Sequence, residues 1–378
     1  MNAPSKHQTV SRQLASEITA GKFNRSGRLP SEAQLVKRFG VSRPTIGRAL
    51  RDLQEQCLIE RRAGSGTYLR SGPAPGKAAR PTALQLGLIV PSLRRTEIFE
   101  SICSTLASLA RQHDCGLWWS GSTQPAGVDS DMSVEEAEAL CGQFIERDVA
   151  GVFFAPFEHR ADREDANRRI IDRLRTAGIP VVLLDRDIGP FPNRSPLDLV
   201  GIDNFAGGFL LAEHLIKLGA RRLAYITRPL SASTVDARIA GARTAMLAHG
   251  LENPRAFVFT GDPADAKFVR TFTQPRTCDA LLCASDQVSA LLLQTLSRLR
   301  ISVPKDVRLV GFDDVRFASL LTVPLTTMEQ PCPDLALTAF RAMLERIADP
   351  MLPARTLLLT PRLVVRESCG AYQGTRGK

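Results

Sequence analysis

Residues 29–53 read LPSEAQLVKRFGVSRPTIGRALRDL and decide the fold of the N-terminal part of the chain. Ser31 is a favourable N-cap, and Gln34, three residues later, can complete a capping box with it. Gly40 can adopt the left-handed conformation that ends a helix. The stretch therefore predicts two helices that are joined by a tight turn, with Ser42 capping the second helix.

The second of these helices has two chemically different faces. One face is an apolar stripe at the spacing i, i+3, i+4 and i+7, formed by Ile46, Ala49, Leu50 and Leu53. The opposite face carries Arg43, Thr45, Arg48 and Arg51. A helix that is apolar inside and basic outside fits the major groove of DNA. The alternative is an ordinary amphipathic helix pair whose basic face is only solvated.

The flanking residues favour the DNA-binding interpretation. Upstream, Val10, Leu14 and Ile18 recur at i, i+4 and i+8 and predict a third helix that covers the pair. Downstream, residues 58–62 and 67–70 flank a Gly-rich turn and predict a two-stranded hairpin. Three helices followed by a basic hairpin are typical of a winged helix-turn-helix.

The charge distribution points to the same function. Residues 1–71 hold 13 Lys and Arg against 5 Asp and Glu, a net charge of +8, whereas the whole chain has +10. A basic excess that is concentrated in one small module indicates contact with a phosphate backbone.

Three spaced motifs resemble the GntR family of bacterial transcription regulators: Leu-Pro-Ser-Glu at 29–32, Val-Ser-Arg-x-Thr at 41–45 and Gly-x-Gly-Thr at 64–67. The resemblance implies DNA contacts by Arg43, by Thr45 and by Gly66 of the hairpin. Two positions depart from the family pattern, Ala33 and Gly47, so the operator sequence does not carry over. The candidate DNA-binding residues are Ser42, Arg43, Thr45, Arg48, Arg62 and Gly66.

Several classes of protein are disfavoured by what the sequence lacks. The first 25 residues contain no apolar run, and no stretch approaches the roughly 18 apolar residues of a membrane span, so we expect a cytoplasmic protein without a membrane partner. The eight cysteines show no Cys-x-x-Cys spacing, which favours free thiols. The five histidines are scattered, and we expect neither a metal nor a cofactor.

A change of composition divides the chain into domains. Residues 72–82 are rich in Pro, Gly and Ala without periodicity, which is typical of a linker. We therefore predict a winged helix-turn-helix domain over 1–71, the linker over 72–82, a larger domain over 83–367 and a tail over 368–378.

The larger domain alternates short apolar runs with amphipathic segments. The predicted strands lie at 84–90, 115–119, 149–155, 179–184, 222–227, 279–284 and 307–312. The predicted helices lie near 98–113, 133–147, 164–177, 204–218, 236–249 and 286–299. This alternation predicts an α/β fold of two doubly wound lobes. We place lobe one at about 83–221 and 330–352, and lobe two at about 222–329 and 353–367.

The polar residues that follow these strands resemble those of the LacI/GalR effector domain, which shares its fold with periplasmic sugar-binding proteins. The supporting motifs are Ile-Pro-Val-Val-Leu-Leu-Asp-Arg at 179–186, Ala-Glu-His-Leu at 212–215, Arg-x-x-Gly at 238–241, Ala-Ser-Asp at 284–286, Val-Gly-Phe-Asp-Asp at 310–314 and Pro-Leu-Thr-Thr at 324–327. A GntR-type head on this body resembles the arabinose-repressor type of chimera.

The resemblance implies a small-molecule effector, expected to be a monosaccharide or a derivative, in the cleft between the lobes. Sugar hydroxyls both donate and accept, so carboxylates and guanidinium groups suit them. The candidate ligand-binding residues are Asp185, Arg186, Arg238, Asp313, Ser285, Gln330 and Ser92. Ser285 replaces the usual Asn of the family. Arg94 and Arg95, in the loop that begins at Ser92, are expected to be solvated loop charges; the alternative is that they favour an acidic or phosphorylated ligand.

We therefore expect a homodimeric, ligand-responsive repressor that reads double-stranded operator DNA. One alternative is a DNA-binding dimer whose α/β body binds a non-sugar ligand or serves only for dimerisation. An enzyme is a weaker alternative, because the chain has neither a Walker loop nor a Gly-x-Ser-x-Gly elbow.

Overall fold

The computed structural model divides the chain into two compact units, Met1–Thr82 and Ala83–Lys378. It describes residues 6–19, 22–23, 28–55, 59–62, 66–69, 84–91, 93, 97–119, 132–251, 257–274 and 277–372. The predicted linker, residues 72–82, lies outside the described residues. No helix in the described ranges is both long and apolar enough to cross a membrane.

The N-terminal unit is three helices and an antiparallel hairpin. Its elements are α1 (Lys6–Thr19), α2 (Glu32–Phe39), α3 (Arg43–Glu55), β1 (Ile59–Arg62) and β2 (Gly66–Leu69). The predicted capping box is present, since Gln34 N donates to Ser31 Oγ and Ser31 N donates to Gln34 Oε1. Gly40 ends α2 in the left-handed conformation, with φ of 61°. The predicted winged helix-turn-helix fold is confirmed.

One apolar core holds this unit together. The stripe predicted on α3 is buried and packs against buried residues of α1, α2 and β1. Its buried members are Val10, Leu14, Leu29, Leu35, Ile46, Ala49, Leu50, Leu53 and Ile59. Burial of this stripe leaves the basic face of α3 on the outside of the unit.

Lobe one of the C-terminal unit is built on a six-stranded parallel sheet. Its strands are β3 (Gln85–Ile89), β4 (Gly116–Trp119), β5 (Gly151–Phe154), β6 (Val181–Leu184), β7 (Asp198–Ile202) and β13 (Thr356–Leu359), in the order β13-β7-β6-β5-β3-β4. Its helices are α4 (Glu97–Gln112), α5 (Val134–Glu146), α6 (Arg163–Thr176) and α11 (Cys332–Ala348). Alternate residues of β5 face opposite sides, because Phe153 packs in the core with α4 and α11 and Phe154 in the core with α5 and α6.

Lobe two has a smaller parallel sheet. Its strands are β8 (Leu223–Thr227), β9 (Val258–Thr260), β10 (Ala280–Cys283) and β11 (Arg308–Val310), in the order β11-β10-β8-β9, and β12 (Thr327–Glu329) pairs with β14 (Arg362–Val364). Its helices are α7 (Asn204–Lys217), α8 (Ser233–Ala248), α9 (Ala266–Thr273) and α10 (Asp286–Arg298). Together the lobes confirm the predicted α/β class.

The predicted boundaries of the lobes are wrong in three places. Helix α7 belongs to lobe two, because it crosses α8 in backbone contact at Gly208 and Gly241. Strand β13 belongs to lobe one, because it pairs in parallel with β7. The predicted tail begins too early, since Ser368 is buried and its hydroxyl donates to Leu309 O. The chain therefore crosses between the lobes near residues 203, 330 and 360.

A buried ion-pair network fixes β7, one of the strands that the prediction missed. Asp198, the first residue of β7, is buried and accepts hydrogen bonds from Arg346 Nε at 3.0 Å and from Arg355 N at 2.8 Å. Burial alone would raise the pKa of Asp198, but the hydrogen bonds from both arginines hold that pKa below its usual value. The network ties α11 and the segment before β13 to β7.

We predict that Asp198→Ala lowers the free energy of unfolding by about 3–5 kcal/mol, because it leaves two arginines without their buried partner. Urea unfolding measures this loss. Because the pKa of Asp198 is lowered in the folded state, the stabilisation is fully present above its unfolded pKa and is lost as the pH falls through the folded value. The matched control is Asp172→Ala, whose pair with Arg175 is exposed and contributes at most about 1 kcal/mol. Equal effects of the two variants would contradict the prediction.

Candidate functional site

A cleft opens between the two lobes at the carboxyl ends of the parallel strands. It encloses about 760 Å³ of empty space, open solvent included. Six of the seven predicted ligand residues line it: Asp185, Arg186, Arg238, Ser285, Asp313 and Gln330. Ser92, the seventh, lies outside the described residues, as do Arg94 and Arg95.

Arg186 is the centre of a buried charge cluster in lobe one. Its Nε donates to Asp185 Oδ2 at 2.9 Å, and its Nη1 lies 2.5 Å from Glu158 Oε1. The guanidinium carbon also lies 5.4 Å from the centre of the Phe99 ring. Burial alone would raise the pKa of Glu158, but Arg186, His159 and Arg238 together hold that pKa below its usual value. Glu158 therefore presents a fixed, ionised carboxylate to the cleft.

Three contacts with residues of lobe two fix the position of the Arg238 side chain. Its Nε donates to Asn204 Oδ1 at 2.7 Å, its Nη1 donates to Ala284 O at 2.7 Å, and its guanidinium carbon lies 3.6 Å from the centre of the Phe312 ring. These contacts leave Nη2 without a hydrogen-bond partner among the residues that the structure describes. Arg238 can therefore donate from a fixed position to a ligand.

The glycine of the predicted Arg-x-x-Gly motif has a structural explanation. Helices α7 and α8 cross in backbone contact, and a Cβ atom on Gly241 would lie 1.9 Å from Phe205 O. A Cβ atom on Gly208, on the other helix, would lie 2.0 Å from Arg238 O. Only glycine permits this approach, and the approach sets where Arg238 enters the cleft.

Asp313 and Gln330 line the cleft near the segment that crosses between the lobes at residue 330. Gln330 Nε2 donates to Asp313 Oδ1 at 2.8 Å. Burial raises the pKa of Asp313 to about 7, and the nearby carboxylates Asp185 and Glu158 add to this against the opposing effect of Arg238. Asp313 therefore changes charge near neutral pH.

Ser285 lines the cleft but also has a structural role. Its hydroxyl oxygen accepts from Val288 N at 3.3 Å and caps α10, which leaves its proton and one lone pair for a ligand. The next residue, Asp286, is buried and accepts from Thr327 Oγ1 at 2.6 Å and from Val315 N at 3.0 Å. Asp286 thereby anchors the loop that carries Asp313.

Sequence reasoning missed three polar residues that line the cleft, namely Glu158, His159 and Arg228. A signal for them was present, because Glu158 and His159 follow the predicted strand 149–155 and Arg228 follows the predicted strand 222–227. The rule that identified Asp185 and Asp313, polar residues after a buried strand, applies equally to these positions.

The two lobes are joined directly at both rims of the cleft. At one rim His159 N donates to Leu230 O at 2.9 Å, and Arg163 Nη1 donates to the same oxygen at 2.8 Å. At the other rim Arg316 N donates to Glu97 Oε2 at 2.7 Å. The structure is therefore a closed arrangement of the lobes.

The candidate DNA-binding residues of the helix pair lie on the outside of the N-terminal unit. Arg43 and Arg48 are exposed, and the hydroxyls of Ser42 and Thr45 lie 2.8 Å apart at the start of α3. Arg43 Nε donates to Glu32 Oε2 at 3.2 Å, an exposed pair that DNA phosphates can replace. Arg62 and Gly66 pair across the hairpin, but their side-chain environment lies outside the described part of the chain.

Comparisons with known proteins identify both units. Residues 6–69 match the bacterial regulatory proteins of the gntR family, and residues 212–369 match the periplasmic binding protein-like domain. The chain therefore resembles a gntR-family domain in its N-terminal unit and a periplasmic binding protein-like domain in its C-terminal unit.

Relatives and solved structures match most of the chain. The HTH-type transcriptional regulator MalR of Streptomyces coelicolor is 28% identical and covers 92% of this chain and 98% of its own length. The arabinose metabolism transcriptional repressor of Geobacillus stearothermophilus is 25% identical, over 96% of this chain and 97% of its own. The solved complex of the transcriptional regulator CelR with cellobiose has a TM-score of 0.63 at 24% identity, over 87% of this chain and 91% of that one.

The helix crossing generates a stability prediction. We expect Gly241→Ala to lower the free energy of unfolding by at least about 1–3 kcal/mol, because the new methyl group overlaps the backbone of α7. Gly142→Ala is the matched control, since its methyl group would meet only the flexible end of Arg173, at 3.1 Å. Denaturant unfolding compares the two variants, and a neutral Gly241→Ala variant would contradict the close crossing.

Proposed function

We propose that the chain is a transcriptional repressor that binds operator DNA as a homodimer and responds to a sugar in the cleft between its lobes. The observation that carries the proposal is the convergence of six polar residues, named from sequence motifs alone, on one cleft. These residues come from both lobes and from the crossing segment at 330, so a ligand bound among them would contact both lobes at once.

The chemistry of the cleft supports a polyhydroxylated ligand. Carboxylates at Asp185 and Glu158 accept hydrogen bonds, while Arg238 Nη2 and the Ser285 proton donate them. Because Arg186 is neutralised by two carboxylates, the cluster is rigid before a ligand arrives, which lowers the ordering cost of binding. The names of the relatives include regulators of arabinose and ribose operons, which agrees with a sugar effector.

The same features support sensing over catalysis. The relatives are transcriptional regulators, and the cleft is joined in one chain to a DNA-binding domain. The cleft carboxylates Asp185 and Glu158 are both engaged by Arg186, which suits fixed hydrogen bonding better than proton transfer. We therefore propose that the chain is not an enzyme.

The rim contacts suggest how binding is transmitted. A ligand that touches both lobes stabilises the closed arrangement, in which Leu230 meets Arg163 and Arg316 meets Glu97. The balance between open and closed lobes then biases the two DNA-binding domains of the dimer. Coupling of this type usually amounts to about 1–3 kcal/mol, or about 5- to 150-fold in operator affinity.

We predict that Arg43→Ala weakens specific operator binding by about 10- to 150-fold, the usual cost of losing one base-contacting arginine. The operator is first selected from a random-sequence DNA pool with the wild-type protein, and gel-shift titration then gives both affinities. Arg12→Ala, which removes the same charge from α1, is the control. An Arg43→Ala variant that binds as well as the control would contradict the docking of α3 in the major groove.

A thermal-shift screen tests the sugar. We expect one member of a panel of pentoses, hexoses, uronic acids and sugar phosphates to stabilise the protein, by about 2.7 kcal/mol at 100 times its dissociation constant. Asp185→Asn should abolish this shift because it removes a charged acceptor, whereas the exposed control Asp172→Asn should retain it. A flat screen would favour the alternatives, a non-sugar ligand or a body that only dimerises.

A further inference from the structure

The cleft continues into a second compartment, which we call the acidic chamber. It lies between the first turns of α4, the loop at 313–316 and the start of α11, and it shares Ile98, Asp313 and Gln330 with the cleft. Its empty space of about 1,140 Å³, open solvent included, exceeds that of the cleft. A ligand seated in the cleft can therefore extend past Gln330 into the chamber.

Carboxylates dominate the lining of the chamber. The acidic residues are Glu97, Glu100, Asp313, Asp314 and Glu329, and Arg316 is the basic residue among the described ones that line it. Two further arginines, outside the lining, pair with its carboxylates. Arg366 Nη1 lies 2.6 Å from Asp314 Oδ1, and Arg362 Nη2 lies 2.5 Å from Glu329 Oε2. Glu97, Glu329 and Asp314 are thus each paired with a guanidinium group, and Asp313 accepts from Gln330, which leaves Glu100 as the unpaired carboxylate of the described lining.

Two acceptors in the chamber have no donor among the described residues. Gln330 is 7% exposed, and its Oε1 is buried without a hydrogen-bond partner, because its Nε2 is the atom that faces Asp313. Glu100, in the first turn of α4, makes neither a hydrogen bond nor an ion pair within the described part of the chain. The buried Gln330 Oε1 is costly to leave without a donor unless a ligand supplies one, whereas the exposed Glu100 carboxylate can accept from a ligand or from solvent.

We propose that the acidic chamber binds a positively charged hydrogen-bond donor of the effector, so that the effector is an amino sugar whose ammonium group lies near Gln330 and Glu100. An ammonium group has three donors and no acceptor, which matches a chamber that offers surplus acceptors and negative charge. The inference rests on the proposed sugar-binding function of the cleft and deepens it.

Matched pairs of sugars test the proposal in the full-length protein. Calorimetric titration at pH 6.5 and low salt compares glucosamine with glucose, galactosamine with galactose and mannosamine with mannose. We expect at least one amino sugar to bind about tenfold or more tightly than its parent, since a hydrogen bond to a charged group is worth about 1.5–3 kcal/mol. Added salt should reduce this advantage.

Glu100→Gln then tests the location. The variant keeps the shape of an exposed side chain and removes its charge, so we expect the amino sugar to lose most of its advantage while the parent sugar binds unchanged. Glu135→Gln is the matched control, because Glu135 also lies in the first turn of a helix, α5, outside the chamber lining. A preference for the amino sugar that survives in Glu100→Gln would overturn the assignment to the chamber.

The remaining outcomes separate this inference from the proposed function. If neutral parent sugars bind as tightly as the amino sugars, the chamber proposal fails and the sugar-binding cleft stands. If the neutral disaccharides cellobiose and maltose bind more tightly than every amino sugar, the chamber takes a second sugar ring and the ammonium proposal fails. If no sugar of either type binds, both proposals fail.

Discussion

The geometry of the cleft depends on one backbone contact, the crossing of α7 and α8 at Gly208 and Gly241. This contact brings the backbone of α8 against α7 and places Arg238 between Asn204, Ala284 O and the Phe312 ring. Because a packed core transmits displacements of even one methyl group, a bulkier residue at the crossing would move the guanidinium. The position of a binding residue is thus set by two residues that have no side chain.

Much of this fold and site could be predicted from sequence because the signals are local. The capping box of Ser31 is formed by residues three positions apart, and the stripe on α3 repeats with the period of a helix, so both can be read within one helix pair. Asp185, Arg186 and Asp313 were found because they follow buried strands, and the carboxyl ends of parallel strands share one edge of a sheet. The structure brings these residues together, although their contact with a ligand stays a prediction.

What could not be predicted depends on pairing between distant parts of the chain. Strand β13 lies more than 150 residues after β7 and pairs with it, and its alternating exposure gives no buried apolar run. The ion pairs of Asp198 with Arg346 and Arg355 that hold this arrangement join residues just as far apart. Neither β7 nor β13 was among the predicted strands, and local patterns do not show that two such distant segments pair, so the lobe boundaries were wrong.

The distribution of charge between the lobes explains why a ligand can act as a switch. Lobe one contributes Asp185, Arg186 and Glu158 to the cleft, and lobe two contributes Arg238, Ser285 and Asp313. A ligand shifts a conformational equilibrium only by the difference between its affinities for the two states. A ligand that hydrogen-bonds both sets at once makes these contacts only when the lobes are closed. The rim contacts of Arg163 and Glu97 form in the same closed arrangement, so they add to the stabilisation that such a ligand supplies.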